Sequence, residues 1–202
     1  MGSIPTLGIF NTMNLERLIL QEQGESGKSE KEIAWENERT KTDGIKDRLD
    51  LGVDEAIKEA VTAFRIHGFT TSQSCEGHRH EEIDGEKDDH GASFPWIEIY
   101  APEPEGWEES EEKKKEWAKA NLEQQQKMTI YLEEFYKNRK VLFDARLTFD
   151  PIGIFGGFRV QSFGARMIEL LPREKQLEKL ELYRKEINDF AEFLKEKYFS
   201  ER

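Results

Sequence analysis

The chain contains a single cysteine, so no internal disulfide can form and a reducing, cytoplasmic setting is expected. It has no apolar run near the roughly 20 residues that a membrane-spanning helix needs. Its first ten residues, Met1 to Phe10, lack the basic and apolar regions of a secretory signal. These absences point to a soluble protein that does not enter a membrane. Only 36% of residues are hydrophobic and the mean hydropathy is −0.80, which is polar for a folded protein. Positive charge is also scarce: 30 basic against 42 acidic side chains give a net charge of −12. An acidic surface repels phosphate backbones, so nucleic-acid binding would require a local basic patch. The expected partner is instead a small polar ligand or another protein.

Aromatic residues supply the core: 13 Phe, 5 Tyr and 4 Trp are enough for one domain, and the polar excess belongs in solvated helices. Residues 1–48 read as an N-terminal helix over Met13 to Gln23 followed by a polar linker or loosely attached helix from Gly24 to Gly44, anchored by Ile33 and Trp35. Residues 49–202 read as a single α+β domain. Asp54 can cap a helix bearing Ile57, Ala60, Val61 and Phe64 at helical spacing, and Gly68 ends it. Strands are expected at Phe69–Ser74 and Pro95–Tyr100, with a charged loop over 76–94 between them. A long helix should run from about Glu108 to Asn138. Alternation predicts strands around Ala145–Phe149, Gly157–Phe163 and Ala165–Leu171. Pro172 then starts a helix that places Leu177, Leu180, Tyr183, Ile187, Phe190, Leu194 and Tyr198 on one face. The order predicts an antiparallel or mixed sheet of four to five strands with helices mainly on one face. The length of the late helices is compatible with a homodimer.

Two glycine-bearing segments invite functional readings. Gly24-Glu25-Ser26-Gly27-Lys28-Ser29 looks like a phosphate-binding loop, but Glu22 stands where the first glycine is required and no strand precedes it, so a flexible linker is the better reading. Pro151 to Gly157 reads as a hairpin turn, with Ile154 and Phe155 as a candidate pocket lip. Arg146 and Arg159, on the flanking strands, are candidates to face an anionic ligand. His67 precedes the Gly68 cap and reads as a structural charge complementing a helix dipole.

The densest chemistry lies between Cys75 and His90, which hold the only cysteine and three of the four histidines. Cys75 and His78 have metal-ligand spacing. His80 can project with His78 from an extended backbone, and His90 can complete a tetrahedral set. Nitrogen and thiolate ligands favour zinc. Cys75 as a nucleophile with His78 as base is a second reading, disfavoured by the surrounding carboxylates, which raise a thiol pKa. A third arrangement leaves Cys75 in the core and the histidines on a solvated loop whose charge shifts near neutral pH.

The segment Ser74-Cys75-Glu76-Gly77-His78, together with Gly157-Phe158-Arg159 and the nearby Ser162 and Gly164, resembles elements of the wybutosine-synthesising tRNA methyltransferase family. His78 stands where that family has arginine. The resemblance implies an α+β fold, S-adenosylmethionine as cofactor, and Ser74, Cys75, Gly77 and Arg159 around a pocket. The Ser-Cys-x-Gly-His stretch and the Pro95-Trp96-Ile97 strand are also similar to those of small uncharacterised bacterial and phage proteins. The functional expectation is a small-ligand or metal-binding pocket at the Cys75–His80 loop, compatible with a modifying enzyme. The alternative is a protein-interaction module with an incidental histidine loop.

Overall fold

The computed structural model describes residues 27–46, 50–78, 82–83, 86–87 and 92–201. The helix expected over Met13–Gln23, and also His80 and His90, lie outside these residues. In chain order the elements are α1 (Glu30–Asp43), α2 (Glu55–Ile66), β1 (Thr71–Cys75), the short pair β2 (Glu82–Ile83) and β3 (Glu86–Lys87), β4 (Trp96–Ile99), α3 (Glu111–Tyr136), β5 (Leu147–Ile152), β6 (Gly157–Ser162) and α4 (Arg173–Ser200).

Four strands form an antiparallel sheet in the order β1-β4-β6-β5. Period-two alternation divides its faces: Ile97 and Ile99 of β4 and Phe158 and Val160 of β6 are fully buried, whereas Glu98 and Arg159 pair across the other face. The buried face meets Phe64 of α2, Met128 and Leu132 of α3 and Phe190 and Leu194 of α4 in one hydrophobic core. Removing a Phe side chain of this size from water stabilises by roughly 2–3 kcal/mol. The sequence-predicted α+β class, with a four-stranded antiparallel sheet and helices on one face, is the class observed.

Three local expectations change. The segment 30–43 is a helix, started by a capping box in which Ser29 and Glu32 exchange hydrogen bonds, and Trp35 carries it into the main core. Lys28, the lysine of the apparent phosphate loop, is held by Glu36 at 2.6 Å. Residues Ala165–Leu170 form a 3-10 turn rather than a strand: Ala165 and Ile168, three apart, are buried while Met167 and Leu170 are exposed, a helical rather than an alternating pattern. Within the predicted loop 76–94, residues 82–83 and 86–87 pair as a short ribbon.

His67 is not a dipole-complementing charge. It is 7% exposed, with Nδ1 3.2 Å from the Tyr131 hydroxyl and Nε2 2.8 Å from the Leu194 carbonyl. Burial pushes its pKa down, so the neutral imidazole donates from Nε2 and accepts the tyrosine proton at Nδ1. Lys127, which donates to the His67 carbonyl, supplies the cation at this helix end instead.

Candidate metal centre

The chain leaves β1 at Cys75 and turns at Gly77, whose φ is +80°. A side chain there would strike Leu180 and the backbone of Phe94 and Pro95, so only glycine lets the loop lie this close to α4 and the start of β4. Ala92 ties the far side of the loop: its carbonyl accepts from the His78 amide at 2.7 Å and lies 4.0 Å from the Cys75 thiol. Arg184 of α4 clamps the turn from below. Its guanidinium donates to the Glu76 carbonyl at 2.9 Å and to the Gly77 carbonyl, with the Glu76 carboxylate 3.4 Å away.

This turn sits against the N-terminus of α2, where Asp54 and Glu76 exchange roles. Asp54 occupies the cap position, yet its side chain makes no hydrogen bond to its own helix. The Glu76 carboxylate reaches across to accept from the Ala56 amide at 2.9 Å, and Asp54 Oδ2 accepts from the Glu76 amide at 3.0 Å. The Asp54 carboxylate is thereby aimed at the loop, 3.5 Å from His78 Nε2. One ligand atom each from Asp54, Cys75 and His78 falls within 4.8 Å of the others.

Cys75 is buried, while Asp54 and His78 are half-buried. Burial, reinforced by the carboxylates of Asp54 and Glu76, raises the thiol pKa against two weak hydrogen bonds that lower it. Without a cation the sulfur is therefore a thiol at neutral pH, which argues against nucleophilic chemistry by the unassisted cysteine. A divalent cation reverses this, since a coordinating thiol is deprotonated outright.

The other sequence-derived candidates lie elsewhere. Ser74 is on β1 opposite Ile97, and Gly77 is the turn itself. Arg159 stacks over the Trp96 ring at 4.1 Å and bonds Glu98 at 3.1 Å; Trp96 on β4 is the register partner of Cys75, so the arginine on β6 lies two strands from the cysteine with its charge already matched. Arg146 precedes β5, at the opposite edge of the sheet from β1 and so about 14 Å away by three strand spacings. There it stacks over Tyr136 at 4.5 Å and lines a cavity of about 340 Å³. Phe155 does not form an open lip: it stacks on Trp117 at 4.7 Å, and only Ile154 of that turn projects into solvent. Asp54 as a member of the group, Glu76 as a borrowed cap and Arg184 as a clamp carry no local sequence signal, because they meet only after α2 and α4 pack.

No helix of the described residues is long and apolar enough to cross a membrane. The chain matches no family model, no curated protein and no solved structure.

Proposed function

We propose that the protein binds a divalent transition-metal ion, zinc by ligand preference, through Asp54 Oδ, Cys75 Sγ and His78 Nε2. The observation that supports this best is Asp54. A cap aspartate ordinarily satisfies its own helix, yet here that duty passes to Glu76 and the freed carboxylate points at a cysteine and a histidine. One sulfur, one nitrogen and one oxygen suit zinc, and Zn–S and Zn–N bonds at a tetrahedral angle place ligand atoms about 3.5 Å apart. The present spread of up to 4.8 Å closes by side-chain rotation of the half-exposed Asp54 and His78.

Among the described residues three protein ligands meet, and a set of three leaves a fourth position for water or substrate, the pattern of catalytic zinc. Lewis-acid hydrolysis or modification of a small polar substrate is then the chemistry this centre would support. Arg184, by holding Glu76 and Gly77, fixes the loop that carries two of the ligands. The S-adenosylmethionine-dependent tRNA modification implied by the sequence resemblance would need phosphate-facing cations. Arg159, Arg166 and Arg184 are each engaged by a carboxylate, which favours the metal over a phosphate-bearing substrate.

Cobalt(II) titration tests it. Stoichiometric binding should give a thiolate-to-cobalt absorption band in the near ultraviolet and visible bands of tetrahedral intensity, both lost in Cys75→Ser. A spectrum identical to aqueous cobalt would overturn the proposal.

A further inference from the structure

The cavity beside Arg146 lies apart from the metal centre and has its own chemistry. Its walls are the aliphatic and aromatic side chains of Leu132, Tyr136, Phe143, Phe149 and Phe163. Phe143 and Phe163 are 69% and 47% exposed, yet they stack on each other at 4.7 Å, which presents two rings to solvent. Exposed aromatic surface of this kind is expensive in water and marks binding surfaces. At about 340 Å³ the space falls at the small end of small-molecule pockets.

Its charge is also distinctive. Arg65, Arg139, Arg159, Arg166 and Arg184 each lie against a carboxylate. Arg146 rests on the Tyr136 ring, and among the described residues no carboxylate pairs with it. The guanidinium keeps its donor fork available, on a protein whose net charge of −12 offers many partners.

The space lies between α3 and the edge strand β5, so an added peptide strand is the competing occupant. The edge is poorly made for it. The outward Leu147 amide is already donated to the Tyr136 hydroxyl at 2.8 Å. By alternation the next outward amides belong to Phe149 and to position 151, which is proline. A strand would find one free donor over five residues, and proline blunts the rest.

We infer that this cavity binds a small planar aromatic anion, its ring against Phe143, Phe163 and Phe149 and its carboxylate on the Arg146 fork. Glu133 lines the same cavity and confines the anionic end to the Arg146 side. This inference is independent of any metal at Asp54, Cys75 and His78.

The test is an amide NMR titration of the full chain with naphthalene-2-carboxylate and, in parallel, with the neutral naphthalen-2-ylmethanol. The carboxylate should give saturable shifts centred on residues 136, 143, 146–149 and 163. Arg146→Gln and the neutral alcohol should each weaken binding about ten-fold, as loss of a charge-assisted hydrogen bond requires. Phe163→Ala, a change at a half-exposed ring, should weaken binding in a folded protein, and Glu133→Gln should strengthen it. Equal binding of acid and alcohol, equal binding by Arg146→Gln, or no saturable shift up to about 5 mM would each overturn the inference.

Discussion

Replacing Gly77 with alanine tests whether the metal loop is held by close packing, and Gly156 provides its control. Both glycines have φ near +80° (+80° and +79°). An added Cβ at either position therefore carries the same left-handed penalty, about 1–2 kcal/mol. Their surroundings differ. At Gly77 the Cβ would lie 2.6 Å from Leu180 Cδ1, 2.8 Å from the Phe94 carbonyl carbon and 2.9 Å from the Pro95 nitrogen. The leucine can rotate, but the two backbone atoms move only with the loop, which adds about 1–3 kcal/mol of overpacking. At Gly156 the nearest atom is Asn121 Cβ at 3.7 Å, an ordinary contact. The entropy gain of alanine in the unfolded chain is common to both and cancels in the difference. Gly77→Ala should thus be less stable than Gly156→Ala by about 2 kcal/mol. In thermal unfolding that is a difference of about 4–8 °C for a chain of this size. Equal stabilities, measured by urea and thermal denaturation, would refute the claim that the Cys75–His78 turn is pinned against α4 and β4.

Two further outcomes follow from buried polar groups. Asn121 is fully buried, accepts from the Ala101 amide at 2.7 Å and donates to the Phe155 carbonyl at 2.9 Å, joining α3, β4 and the β5–β6 turn. Asn121→Ala leaves both groups unpaired and should cost about 2–4 kcal/mol by urea denaturation, with a change in Trp117 fluorescence as Phe155 detaches. His67 has a folded pKa below its ordinary 6.5. Between those values the unfolded chain binds a proton that the native state does not, so its contribution is complete above pH 6.5 and is lost as the pH falls through the folded value. Wild type should therefore lose more stability than His67→Gln between about pH 7.5 and about pH 5, and parallel profiles would contradict the neutral, buried assignment.

Much of the fold is legible where periodicity and packing agree. Ile57, Ala60, Val61 and Phe64 mark α2, Pro172 and the stripe buried through Leu194 mark α4, and Ile97 and Ile99 mark the buried face of β4. The helix Glu30–Asp43 is harder to see because its residues are mostly charged and one tryptophan supplies most of its anchoring; its Ser29–Glu32 capping box is the local signal. Ala165–Leu170 misleads because short apolar runs fit strand and helix patterns alike. At the candidate centre, Cys75 and His78 stand out because they are three residues apart. Asp54 reads locally as a helix cap, and only the packing of α2 against the loop shows Glu76 taking over that cap. Arg184, 108 residues from Glu76, is invisible without α4 in place. Arg146 and Arg159 look equivalent along the chain, yet Arg146 precedes the edge strand β5 and lines a cavity, whereas Arg159 lies on the inner strand β6 against Trp96 and Glu98.

Whether Asp54, Cys75 and His78 act together on one cation is decided by zinc stoichiometry. Tag-free wild type and the Asp54→Asn, Cys75→Ser and His78→Ala variants would be loaded with zinc, desalted against a weak chelator and measured by elemental analysis. Close to one zinc per wild-type chain is expected, with retention lost in Cys75→Ser and His78→Ala and sharply reduced in Asp54→Asn. Zinc absent from the wild type, or retained equally by all four proteins, would contradict that joint action.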